Sequence, residues 1–167
     1  MEARYEFGDV TTLSAVTVGE PGKRTFFLAV GQQGKWLRVW LEKEQLQALA
    51  MAIRQLLFAI SQDAARPSPP AAVTAPSGDA PSGLPSAELE IVEMSLGYNG
   101  DKATMNLSAH GMGPRKAAQT VLECRMTLSQ LRELGRQADA ACAAGRPRCI
   151  VCGGPIDPSG HVCPGSN

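Results

Sequence analysis

The chain has 167 residues, enough for one ordinary domain or two very small ones. Hydrophobic residues make up 44% and charged residues 19%, so a packed core is within reach and wholesale disorder is excluded. Sixteen Lys plus Arg balance sixteen Asp plus Glu, leaving no global basic field to attract nucleic acid or anionic lipid. Residues Met1 to Gly8 are charged and carry no apolar core of a secretory signal. The longest mostly apolar stretch, Ala48 to Ile60, is broken by Arg54 and Gln55 and is too short to span a bilayer. These features predict a soluble, cytoplasmic protein with no membrane partner.

Three strands and a helix are expected first. Leu13 to Val18 is a strand, Gly19-Glu20-Pro21-Gly22 a turn, and Thr25 to Val30 the second strand. A turn around Gly31 and Gly34 leads to a third strand, Trp36 to Leu41. From about Lys43 to Gln62, apolar residues recur at Leu46, Leu49, Ala50, Ile53, Leu56, Leu57 and Ile60, one face of a 3.6-residue period. Residues 64–86 hold six prolines among Ala, Ser and Gly; with no face to bury, they read as a flexible linker.

The pattern then returns. Leu89 to Tyr98 is a strand, and Asn99-Gly100 signals a two-residue type I′ hairpin into a strand from Ala103 to Ala109. A loop with Gly111, Gly113 and Pro114 precedes a strand from Val121 to Met126. Thr127-Leu128-Ser129-Gln130 has the form of a capping box and opens a helix through Leu131, Leu134, Ala138 and Cys142 that stops at Gly145. Residues 37–49 (LRVWLEKEQLQAL) align with 122–134 (LECRMTLSQLREL) at an offset of 85, matching Leu37 with Leu122, Gln45 with Gln130, Leu46 with Leu131 and Leu49 with Leu134. Duplication of a β-β-β-α unit explains this, and so does chance likeness of two amphipathic strand–helix junctions. The predicted fold class is α+β: an antiparallel sheet with two packed helices, plus a C-terminal zinc-ribbon-like hairpin. The expected divisions are a first half over 1–63, the linker over 64–86, a second half over 87–146 and a metal-binding tail over 147–167.

Five cysteines without a signal peptide do not form a disulfide framework. Cys124 shares strand parity with Leu122 and Met126, and Cys142 continues the apolar helix face, so both read as core. The other three lie in the tail. Cys149 and Cys152 form a C-x2-C pair followed by two glycines, and Asp157-Pro158-Ser159-Gly160 is a type I turn that folds His161 and Cys163 back toward it. His161 and Cys163 are separated by one residue, so an extended segment points both the same way. The set Cys149, Cys152, His161, Cys163 fits a tetrahedral structural zinc. The four large apolar residues of the tail, Ile150, Val151, Ile156 and Val162, are too few to order it alone, so it needs zinc or extensive docking on the body. Rival readings fit less well: a redox pair needs a helix N-terminus after it, an iron–sulfur site favours four cysteines, and a catalytic zinc needs an open position.

The segments GEPGKRTFF (19–27), LEKEQL (41–46) and AGRPRCIVCGGPIDPSGHVCP (144–164) resemble an uncharacterised bacterial family, domain of unknown function 3090. The resemblance covers both halves and the tail, and the tail is its most specific part. It implies zinc and a cytoplasmic bacterial protein, and brings no known activity. The proline-rich stretch departs from the family pattern.

Three other places are candidates for chemistry or recognition. His110 beside glycines has the setting of a loop residue, exposed or acting as a general base. Gly19 to Arg24 lacks the spacing of a phosphate loop and reads as a turn with two exposed cations. Trp36, Arg38 and Trp40 share one face of a strand, as core or as a stacking platform. The expectation is buried tryptophans with the Arg38 head at the rim, paired to Glu88, Glu90 or Glu93. The function expected is a non-catalytic binding or interaction module, with an unidentified protein or small-molecule partner and nucleic acid disfavoured. The alternative is an enzyme with its site in a cleft between the halves near His110.

Overall fold

The computed structural model of the chain describes residues 2–20, 22–63, 80–113, 119–143, 149–152 and 162–165. Their element order is β1 (Glu2–Asp9), β2 (Thr12–Val18), β3 (Thr25–Gln32), β4 (Lys35–Leu41), α1 (Lys43–Asp63), β5 (Ala87–Asn99), β6 (Thr104–Met112), β7 (Gln119–Thr127) and α2 (Leu128–Ala143). All seven strands form one sheet in the order β1-β7-β6-β5-β4-β3-β2. Both halves therefore share a sheet, and the chain is α+β.

The sheet is mixed, which corrects the antiparallel expectation. The pairs β2–β3, β3–β4, β5–β6 and β6–β7 are antiparallel, as read from the sequence. The seams between the halves are parallel: β4 with β5, and β1 with β7. The physical reason lies in α1, whose passage returns the chain to the start of β4, so that β5 runs in the same direction. The strand β1 was not expected. Its signal is a clean period of two, with Glu2, Arg4 and Glu6 exposed between half-buried Ala3, Tyr5 and Phe7.

Strands β1 and β2 stand at opposite ends of the sheet order yet are joined by only Val10 and Thr11. The sheet must curl until its two ends meet at this corner. The Val10 amide donates to the Arg125 carbonyl of β7 at 3.0 Å, and the Thr11 amide donates to the Gly31 carbonyl of β3 at 3.0 Å. Gly31 is required there, because a Cβ would overlap the Lys35 carbonyl oxygen.

The main core lies between the inner sheet face and the two helices. Leu28, Val30, Leu37, Val39, Leu89, Met105, Leu107, Leu122 and Met126 meet Leu46, Ile53, Leu131 and Leu134 there. The helices approach closely at Gly135, where a Cβ would come within 2.8 Å of Ile53 Cγ2. Both helices open on the same device. In α1 the Glu42 amide donates to Gln45 Oε1 at 2.7 Å, and Gln45 Nε2 donates to the Ile91 carbonyl at 3.3 Å. In α2 the Thr127 amide donates to Gln130 Oε1 at 2.8 Å, the Gln130 amide to Thr127 Oγ1 at 3.1 Å, and Gln130 Nε2 to the Val10 carbonyl at 2.8 Å. Each glutamine satisfies a helix-start amide and ties its helix to the backbone of the other half, Gln45 to β5 and Gln130 to the corner between β1 and β2.

The hairpins differ from expectation in one place. Gln33 and Gly34, with φ of 54° and 81°, make the two-residue type I′ turn between β3 and β4. At Asn99-Gly100 the strands instead close at Asn99 and Thr104. Asn99 Oδ1 accepts the amides of Asp101 at 3.1 Å and Lys102 at 3.3 Å, which draws the chain into a longer loop. Residues 64–79 of the proline-rich segment lie outside the described residues; at its end the Ser86 amide donates to the Trp36 carbonyl at 2.8 Å. No described helix is long and apolar enough to cross a membrane.

Candidate metal centre

Three of the four sequence-selected ligands converge. The Sγ atoms of Cys149, Cys152 and Cys163 all lie within 4.8 Å of one another. His161, the fourth, is outside the described residues, as is the turn at 157–160. Cys149 Sγ and Cys163 Sγ stand 3.7 Å apart. A tetrahedral ion holding two thiolates at about 2.3 Å separates them by about 3.8 Å, so this spacing is that of two corners of such a site. The Val151 amide donates to Cys149 Sγ at 3.4 Å.

The electrostatics separate Cys149 from the two cysteines outside the cluster. Backbone donors at Cys152 and Val151, with help from the Cys163 and Cys152 side chains, draw the Cys149 pKa down to about 6. Cys124 is the opposite case: burial pushes its thiol up to about 12, despite a hydrogen bond from the Leu107 backbone. Burial also raises Cys142, which sits half-buried on α2. Cys124 and Cys142 are packing residues, as expected, and neither joins the cluster. Among the described residues of the tail, the large apolar side chains lie in water. Ile150, Val151 and Val162 are 101%, 63% and 94% exposed, so these three side chains add little burial to hold the segment together.

The other candidates fall elsewhere. Trp36 is buried at 3% exposure and Trp40 is half-buried, with Phe27 packed between β3 and β4 on the same outer face. The Arg38 guanidinium lies 5.0, 5.5 and 5.4 Å from the Phe27, Trp36 and Trp40 ring centres. Its Nη1 donates to Glu88 Oε1 at 2.7 Å. The rim position and the acidic partner match the sequence reading; Phe27 was missed because only the β3–β4 register sets it opposite Trp40. His110 is not in a loop. It lies in β6, exposed, in register with Glu93 on β5.

Two clefts flank the start of α1. The larger, about 800 Å³, lies among Arg24, Trp40, Glu42, Lys43, Glu44 and Glu90. The smaller, about 290 Å³, runs between α1 and β5 and is mostly apolar. His110 lines neither. No sequence signal pointed to these clefts, because they arise where α1 and β5, separated by the proline-rich segment, come side by side.

The molecule is thus an α+β protein carrying a cluster of three cysteines that could hold a metal ion. Residues 5–163 match the family described as Protein of unknown function (DUF3090), and the chain belongs to that family. No curated protein and no solved structure matches the chain.

Proposed function

We propose that the chain is a non-catalytic binding or interaction module whose C-terminal tail is held by one structural zinc ion on Cys149, Cys152, His161 and Cys163. The observation that carries this reading is the spacing of the three thiols, beside which the described apolar side chains Ile150, Val151 and Val162 are exposed. A segment with three of its four large apolar side chains in water needs another source of order, and a structural zinc contributes about 10–16 kcal/mol in small zinc-folded peptides. The soft-to-borderline donor set favours zinc over magnesium or calcium, which prefer all-oxygen shells. A Cys3His shell closes the coordination sphere, leaving no position for substrate, so the ion has a structural role. The matching glutamine caps of the two halves support descent from a duplicated β-β-β-α unit, which would pair halves in a cyclic fashion.

The test is metal analysis of the purified protein. About one equivalent of zinc per chain is expected. Cys152→Ser and Cys163→Ser release it, whereas Cys124→Ser and Cys142→Ser retain it. Retention of zinc by the Cys163→Ser protein refutes this ligand set.

A further inference from the structure

The two helices treat their neighbouring strand edges differently. Strand β2 is bonded to β3 on one side, and α2 packs along its other side. There the Ala15 amide donates to Gln137 Oε1 at 2.9 Å, while Gln137 Nε2 donates to Glu133 Oε1 at 3.1 Å. Gln137, only 8% exposed, closes that edge. Strand β5 has the same kind of edge. Strand β4 pairs with it only over Ala87 to Glu90, so from Val92 onward β5 has β6 on one side and no described strand on the other. Here α1 stands off. Counting from the helix starts at Lys43 and Leu128, the residue of α1 that corresponds to Gln137 is Ala52. A methyl group cannot reach the strand, and the groove of about 290 Å³ remains, floored by Ala48, Leu49, Ala52, Ile91, Met94 and Leu96.

We infer that this groove binds an extended peptide segment of a partner protein, which adds as a strand to the outer edge of β5 that no described strand occupies. The inference deepens the reading of the chain as an interaction module and rests on it. An unpaired strand edge supplies main-chain donors and acceptors, and the small residues of α1 leave room for alternate side chains of the added strand. Charge sets the chemistry of the occupant. The groove meets the larger cleft at Gln45 and Ile91, where Glu42, Glu44 and Glu90 outnumber Arg24 and Lys43. Glu93 stands exposed on β5 itself. A second copy of β5 would bring its own Glu88, Glu90 and Glu93 to this acidic edge. A segment with alternating apolar residues and a leading Lys or Arg is complementary to it.

The test uses the full chain with its metal and a fluorescein-labelled peptide, Lys-Val-Thr-Val-Thr-Val, followed by anisotropy. Saturable binding is expected. Ala52→Gln places in α1 the side chain that seals the other edge; Ala52 is exposed, so the variant should fold, and circular dichroism checks this. It is expected to weaken binding at least about tenfold. A peptide N-methylated at its valines should lose binding, and one headed by Glu should bind more weakly. Absence of saturable binding by the native chain up to about 1 mM peptide overturns the inference, as does equal binding by the Ala52→Gln chain. Hydrogen exchange gives an independent check. Outward-facing β5 amides between Val92 and Leu96 should exchange fast in the free protein and slow with peptide; protection already present in the free protein refutes an open edge. Zinc content measured on the same samples separates the two proposals, since peptide binding can fail with zinc in place.

Discussion

The two parallel seams of the sheet join the same kinds of element and are covered in opposite ways. At β4–β5, Arg38 reaches across to Glu88 beneath three aromatic rings, and the side-chain exposures are 27% and 41%. At β7–β1 the signs are exchanged: Glu123 on β7 receives Arg4 on β1 at 3.0 Å, with exposures of 45% and 56%. The positions matching Trp36 and Trp40 at the offset of 85 are Val121 and Arg125. Arg125 itself reaches Asp9 at 3.3 Å, another exposed pair. The difference teaches where the stability of a seam comes from. The hydrogen-bonded ladders are of one kind. What differs is water: the aromatic face displaces it from Arg38, whereas the pairs at Arg4 and Arg125 compete with solvent throughout.

The largest expected effect lies on the aromatic seam. Trp36→Ala empties a buried site and should lower stability by roughly 3–5 kcal/mol, read as a shift of the denaturant midpoint with unchanged slope. An unshifted midpoint would mean that Trp36 is a surface platform and that the seams are alike.

Next come the arginines. Arg38→Met should lose about 1–2 kcal/mol, because it removes the ring contacts and leaves Glu88 without its partner. Arg4→Met should leave the midpoint unmoved within error. If both variants behave alike, the aromatic cover does not matter. If the loss at Arg38 disappears in high salt, the pair is as solvated as its counterpart.

The smallest effect sharpens the likeness rather than the contrast. Gln45→Ala and Gln130→Ala each remove one helix cap and one tie to the opposite half, and each should lose about 1 kcal/mol. Similar values place the two junctions on equal footing. A loss at Gln130 well above that at Gln45 would show that the corner at Val10, rather than the cap, sets the energy.

Much of the fold was legible in the residues. Period-two runs gave six of the strands, the spacing of Leu46, Leu49, Ile53 and Ile60 gave α1, and Thr127 with Gln130 announced α2. The site was legible too, as far as three thiols: C-x2-C and the later cysteine are a covalent spacing, and a tetrahedral ion accepts few others. One misreading arose where two local rules competed. Asn99-Gly100 is a strong turn signal, yet the Asn99 side chain took two amides and lengthened the loop.

Thus the sequence alone determined which face of most elements is apolar, where the helices start and which cysteines cluster rather than pack in the core. These properties depend on neighbours within a few residues, where side-chain alternation and capping are decided. Only the tertiary structure decided which strands lie side by side, that the inter-half seams are parallel, and that β1 and β2 meet at a corner. It also decided that α2 bonds to the outer edge of β2 through Gln137, whereas no described strand lies along the outer edge of β5 beyond Glu90. An apolar face states that a strand must be buried, not against what; the partner is chosen by how the whole sheet curls around two helices, and no local pattern records that choice.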